Sequence, residues 1–175
     1  KGGSSGIVVE NCSFAQSADN AYGYALAATV GAASSVTFEG CEFSNLSGRR
    51  FVVKVDDVNS ALVFNGCTFS GNTLAYTGEN AYGNRCGTIF STDANTITLN
   101  RCTFEGNTAP EGVPHDSAHS AAIYCGGCTV TIDGCRCIGN HGAGLFGFSG
   151  GGANFNYNVR NSLFADNDVT ASMQC

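Results

Sequence analysis

Tryptophan is absent from the 175-residue chain, methionine occurs once, proline twice, and charged residues reach only 13%. An ordinary soluble domain carries roughly 25% charged residues. Basic residues number 8 against 14 acidic ones, a formal charge of −6, which argues against a general nucleic-acid binder. Lys, Arg, Glu and Leu are scarce beside Gly, Asn, Ser and Thr, and that balance disfavours helices. No apolar run approaches the roughly 20 residues of a membrane span. The longest, around Ala25 to Ala33, is short and built of small residues. The chain opens at Lys1 with no Met and no leader pattern, so it reads as a mature product or a piece of something longer. What remains is 43% hydrophobic residues, Gly 24 and Cys 10. The hydrophobic share is enough for a core and excludes wholesale disorder. The cysteines suggest an oxidising compartment, yet they fall below the density of a disulfide scaffold.

The chain repeats. Ile7 to Phe14, Val36 to Phe43, Leu62 to Phe69, Ile97 to Phe104, Val130 to Cys137 and Tyr157 to Phe164 share the pattern apolar-x-apolar-polar-turn-Cys-x-Phe. The sixth copy has Ser162 at the Cys position, and the steps between copies are 29, 26, 35, 33 and 27 residues. Apolar-x-apolar is a short strand with one buried face. The polar pair that follows is turn chemistry. Cys-x-Phe restarts the alternation and points Cys and Phe back inside. Asn stands three residues after the Phe position in four copies, as Asn72, Asn107, Asn140 and Asn167, and closes a second turn. A third apolar piece lies between copies: Tyr24 to Val30, Phe51 to Val55, Thr88 to Phe90, Ala121 to Tyr124, and Gly144 to Phe148.

Three short strands in each repeat cannot bury their own inner face, but stacked repeats can. The expected fold is all-β: a right-handed parallel β-helix of about six rungs. Residues 1–175 would form one domain, on the order of 30 Å long. Length differences between repeats belong in loops, chiefly Leu74 to Arg85 and Thr108 to Ser120.

The Phe-x-x-Asn element stands as Phe69-Ser70-Gly71-Asn72, Phe104-Glu105-Gly106-Asn107 and Phe164-Ala165-Asp166-Asn167. It resembles the repeat of polymorphic outer-membrane proteins and related cell-surface β-helix proteins. Ala121-Ala122-Ile123 and Cys86-Gly87-Thr88-Ile89 look like worn versions of that family's Gly-Gly-Ala-Ile strand. The resemblance implies a pectin-lyase-like β-helix and an adhesive or structural surface module rather than an activity.

The repeated cysteines Cys12, Cys41, Cys67, Cys102 and Cys135 are expected to stack facing inward as small buried hydrophobes. In-register Cβ atoms would sit slightly farther apart than a disulfide prefers. Cys125-Gly126-Gly127-Cys128 has the CxxC spacing of redox and zinc sites. No matching second ligand pair exists, and a strand rather than a helix follows, so Cys125 and Cys128 read as a local disulfide or a turn. No metal site and no cofactor are expected. The Asn positions read as a buried side-chain ladder, each amide offering two donors and an acceptor. His115, Asp116 and His119 lie in a segment with no helix signal and read as a solvated loop. Sequons at Asn11 and Asn45 would permit glycosylation in a eukaryotic secretory pathway.

The densest charge cluster is Arg49-Arg50-Phe51-Val52-Val53-Lys54-Val55-Asp56-Asp57. Alternation sets Val52, Lys54 and Asp56 on one side, opposite Val53 and Val55. A carbohydrate-active enzyme, either a polysaccharide lyase or a glycoside hydrolase, would use Asp56 or Asp57 as an acid, with His141 as helper. Arg49 or Arg50 would grip a uronate. Facing carboxylates on neighbouring rungs are missing, and the plainer reading is a solvated, salt-linked face. The outward Thr positions Thr37, Thr98 and Thr131 are interrupted by Val8, Val63 and Asn158, which breaks an ice-binding array. The leading expectation is a non-enzymatic, extracellular or cell-surface module. It would present loops to a protein or glycan partner, or stack end to end with neighbouring subunits.

Overall fold

The computed structural model describes residues 6–15, 28–30, 34–48, 51–55, 58–74, 86–92, 95–109, 119–142, 146–148 and 156–169. Their regular structure is entirely β. The first strand of each repeat joins one six-stranded parallel sheet: β1 (Ile7–Glu10), β4 (Ser35–Glu39), β8 (Ala61–Asn65), β12 (Thr96–Asn100), β15 (Thr129–Asp133) and β19 (Asn156–Arg160). The Cys-x-Phe strands form a second: β2 (Ser13–Ala15), β5 (Glu42–Ser44), β9 (Thr68–Ser70), β13 (Thr103–Glu105), β16 (Arg136–Ile138) and β20 (Leu163–Ala165). The third sheet holds β3 (Ala28–Val30), β7 (Phe51–Val55), β11 (Cys86–Thr92), β14 (His119–Gly126) and β18 (Phe146–Phe148). The parallel β-solenoid expected from the repeat is the fold of the chain.

Register follows the repeat. Val36 pairs with Ile7 and Leu62, and Phe69 with Phe43 and Phe104. The bend between the first two sheets needs a left-handed residue. Asn11, Gly40, Gly66, Arg101, Gly134 and Asn161 all take φ between 52° and 64° there. Gly and Asn adopt this conformation at least cost.

The structure adds a fourth element to the expected three. After the second turn, closed by Leu46 in the second copy and by Asn in the later ones, the chain pairs over two residues: β6 (Ser47–Gly48) with β10 (Thr73–Leu74), and β17 (His141–Gly142) with β21 (Asp168–Val169). Thr108 bridges Thr73 and His141 between them.

The core is a set of side-chain columns. Phe14, Phe43, Phe69 and Phe104 stack with centroids 4.8, 4.8 and 4.6 Å apart and planes within 8°. Phe38 stacks on Phe64 at 5.0 Å, edge-on to Phe43. Aromatic contacts of these geometries add roughly 0.5–1.5 kcal/mol each beyond area burial. The third sheet departs from the alternation read from sequence. Val52 is as fully buried as Val53 and Val55, and every residue from Ser120 to Cys125 is buried. Along β14 from Ser120 to Cys125 both faces are covered, so alternation marks no solvent side there. No helix among the described residues is long and apolar enough to cross a membrane.

Candidate functional site

Two ladders consume the conspicuous polar side chains of the repeat. Asn72 Nδ2 donates to Asn107 Oδ1 (2.8 Å), Asn107 Nδ2 to Asn140 Oδ1 (3.0 Å), and Asn140 Nδ2 to Asn167 Oδ1 (2.9 Å). Each amide also donates one layer back, Asn72 to the Phe43 carbonyl, Asn107 to Phe69, Asn140 to Phe104 and Asn167 to Cys137, all at 2.9 Å. Each Oδ1 also accepts the backbone N–H of the preceding ladder position, as from Leu46 to Asn72 at 3.0 Å. The Asn72, Asn107 and Asn140 side chains are fully buried and inaccessible to a substrate.

The cysteine column forms the second ladder. The thiols of Cys41, Cys67, Cys102 and Cys135 donate to the carbonyls of Val9, Phe38, Phe64 and Leu99, one layer back, at 3.3–3.5 Å. Ser162 takes the sixth place and accepts the Cys135 N–H at 3.1 Å. Cys12, in the first layer, is exposed, whereas the four that follow are buried. Burial first, and then the charge of nearby Cys135, push the Cys137 thiol up to about 12.

Cys125 and Cys128, read as a local disulfide or a turn, are both free, fully buried thiols. Cys128 Sγ donates to Ser91 Oγ at 3.2 Å, and Cys125 Sγ accepts the Cys128 N–H at 3.1 Å. The neighbouring Cys128, and then burial, hold the Cys125 thiol above its ordinary range. Among the described residues, no group of three His, Cys, Asp or Glu is placed to hold a metal ion.

The enzyme residues are not brought together. Arg49, Asp56 and Asp57 lie outside the described residues. Lys54 is partly exposed on β7. His141 lies on β17, where its Nδ1 is 3.1 Å from Asp168 Oδ2. Its layer is three strand spacings from β7, roughly 14 Å. Of the two expected loops, residues 75–85 and 110–118 also fall outside the described set. Asn11 and Asn45, the sequon residues, are exposed at left-handed turn positions.

The surface that does assemble polar groups is a groove along the bend between the first two sheets. It is open, about 530 Å³, and lined by Glu39, Asn65, Asn100, Arg101, Asp133, Gly134 and Asn161. Asn65 Nδ2 donates to Glu39 Oε1 at 2.6 Å, and Asn100 Nδ2 to Asn65 Oδ1 at 2.8 Å. Asn161 Nδ2 donates to Asp133 Oδ1 at 2.9 Å, and the Arg160 guanidinium lies 3.1 Å from Asp133 Oδ2. The Asn161 amide, and then the Arg160 charge, hold the Asp133 carboxyl below its ordinary value. Beside the groove, the outer face of the first sheet carries Ser35, Ala61, Thr96, Thr129 and Asn156 in one row. Thr37, Val63, Thr98, Thr131 and Asn158 form the next. Both rows are uncharged.

Sequence reasoning passes over this groove because each polar pair reads alone as turn chemistry. The available signal is the position itself: the last residue of the first strand is Glu10, Glu39, Asn65, Asn100, Asp133 and Arg160, polar in every copy. No family model, no curated protein and no solved structure matches the chain, and its function is read from its own residues.

Proposed function

We propose that the chain is a non-enzymatic structural module of an extracellular or cell-surface protein, and that its solenoid presents the bend groove to a glycan partner. The groove carries this reading. Amides and carboxylates repeat along it at the layer spacing, roughly 4.8 Å, and offer paired donors and acceptors to sugar hydroxyls. The flat, uncharged Ser and Thr face beside it leaves room for an extended chain. The extracellular setting draws on the likeness of the repeats to surface proteins, since the eight described thiols are free and add no disulfide argument.

The test is retention of defined oligosaccharides, followed by calorimetry. Binding is expected to weaken at least tenfold in Asn100→Ala and in Asp133→Ala, with unchanged circular dichroism. Release of oligosaccharides from pectin or alginate would replace the module with an enzyme. Retention of a protein partner alone would move the reading to protein adhesion.

A further inference from the structure

We propose that the last layer of one copy receives the first layer of another in register, so that copies extend the solenoid head to tail. The proposal rests on the structural-module reading and names the partner of the module's ends as a second copy of this chain.

The bonds between layers are directional and repeat. A turn N–H donates forward to the strand-end carbonyl of the next layer: Asn11 to Glu39, Gly40 to Asn65, Gly66 to Asn100, and Arg101 to Asp133, at 2.8–2.9 Å, with Gly134 to Arg160 at 3.2 Å. The residue after the Cys position donates back. Glu42 bonds to Cys12, Thr68 to Cys41, Thr103 to Cys67, Arg136 to Cys102, and Leu163 to Cys135, each at 2.9 Å. Cys thiols also donate back, beginning with Cys41 to the Val9 carbonyl. Continued by one step, this pattern aims the Asn161 N–H and the Ser162 and Val159 carbonyls out of the last layer. It aims the Glu10 carbonyl, the Ser13 N–H and the Cys12 thiol out of the first. The two sets are complementary: Asn161 N–H to Glu10, Ser13 N–H to Ser162, and Cys12 thiol to Val159.

Side chains match in the same register. Phe14 covers Phe43 with one face of its ring, and the same column ends at Phe164 in the last layer. In that register Ile7, 43% exposed, would fall on Tyr157, and Val159, 40% exposed, on Val9. Exposed apolar side chains beside a strand edge with no partner among the described residues favour strand addition. An open recess of about 600 Å³, lined by Thr131, Tyr157, Asn158, Val159 and Arg160, lies against that last layer. Charge fixes the polarity of the contact. Glu10 would fall on Arg160, whose side chain is 67% exposed and already pairs on its other side with Asp133. The contact joins two different patches and does not close on itself, so it builds chains rather than rings.

Sedimentation across a concentration series tests the contact. The wild-type chain is expected to grow in mass with concentration. Glu10→Arg and Arg160→Glu should each weaken association at least tenfold, because each sets like charges against one another at every contact. Circular dichroism should not change; Glu10→Arg should melt as the wild type does, whereas Arg160→Glu should also melt lower because it loses the Asp133 pair. In an equimolar mixture, contacts between unlike variants are again matched in charge. One kind keeps the native pair and the other carries it with the two charges exchanged. Growth should therefore return on mixing. A monomer at every concentration would overturn stacking and leave glycan retention by the groove unaffected. Growth that ignores both substitutions, or no recovery on mixing, would overturn the register.

Discussion

Asn107 Nδ2 lies 3.0 Å from Asn140 Oδ1 and 2.9 Å from the Phe69 carbonyl oxygen, so one buried amide ties three layers together. Its own Oδ1 accepts the Asn72 N–H at 3.1 Å. Asn107→Leu keeps the volume but leaves the Asn72 N–H without a partner and removes the second donor to the Phe69 carbonyl, which keeps its ladder bond. At about 1–3 kcal/mol for an unpaired buried group, the loss is roughly 1–3 kcal/mol. Thermal unfolding measures it, and an unchanged Tm would count against the ladder as a source of stability.

Among the eight cysteines whose side chains are described, only Cys12 is exposed. Of these eight, iodoacetamide on the folded protein should therefore modify Cys12 first, since reaction needs an accessible thiolate. Cys41, Cys67, Cys102, Cys125, Cys128, Cys135 and Cys137 should react only after unfolding, and without added reductant. Peptide mapping reads both stages. A Cys125–Cys128 bridge in the unfolded, unreduced sample would contradict the free thiols.

The Cys137 thiol, pushed up to about 12 from an ordinary value of 9.0, makes stability fall in alkali. The folded state holds the proton more tightly than the unfolded chain. This contribution is therefore complete below pH 9 and is lost as pH rises toward 12. The slope approaches roughly 1.4 kcal/mol per pH unit for one proton. Cys137→Val should flatten the fall of Tm between pH 9 and 12, whereas an identical profile would mean that Cys137 ionises without consequence.

Two glycines with positive φ should respond to substitution unequally. Gly142 has φ 138°, and a Cβ there would sit 2.5 Å from the Ala109 carbonyl oxygen. Gly142→Ala combines a clash with backbone strain of order 1–3 kcal/mol. Gly66 has φ 60° and nothing within 4 Å of the Cβ position. Asn11 and Asn161 hold the same place in other layers, so Gly66→Asn should change stability by less than about 0.5 kcal/mol. Equal losses in the two variants would contradict this geometry.

The repeat makes most of the solenoid legible because Cys-x-Phe names the side each residue takes. Where the signal is shorter, it fails. Ser47–Gly48 and Asp168–Val169 are two-residue strands, too brief to carry a period. Alternation puts Val52 on the face of Lys54, away from Val53 and Val55, yet all three valines are buried while Lys54 stays partly exposed, so cover changes along one face within a single strand, which alternation does not encode. Within β11 the pairing to β14 shifts register between Gly87 and Ile89. A Cβ at Gly87 would lie 2.7 Å from the Tyr124 nitrogen, so this glycine permits a close approach that no periodicity encodes. The bend groove needs the stack itself: Asn65 and Asn100 stand 35 residues apart in sequence and meet only because Thr96 to Asn100 pair with Ala61 to Asn65.

The bonds of the asparagine ladder join successive layers and therefore act in series under load. A force drawn between the two ends of the chain would peel the solenoid one coil at a time rather than shear a whole sheet. Each event would release one repeat, 26 to 35 residues, or roughly 90–120 Å of extended chain. A single molecule stretched in this way would trace a sawtooth whose unequal teeth report the order of the repeats. A tether of this kind yields gradually, dissipating work at each tooth while the remaining coils stay folded.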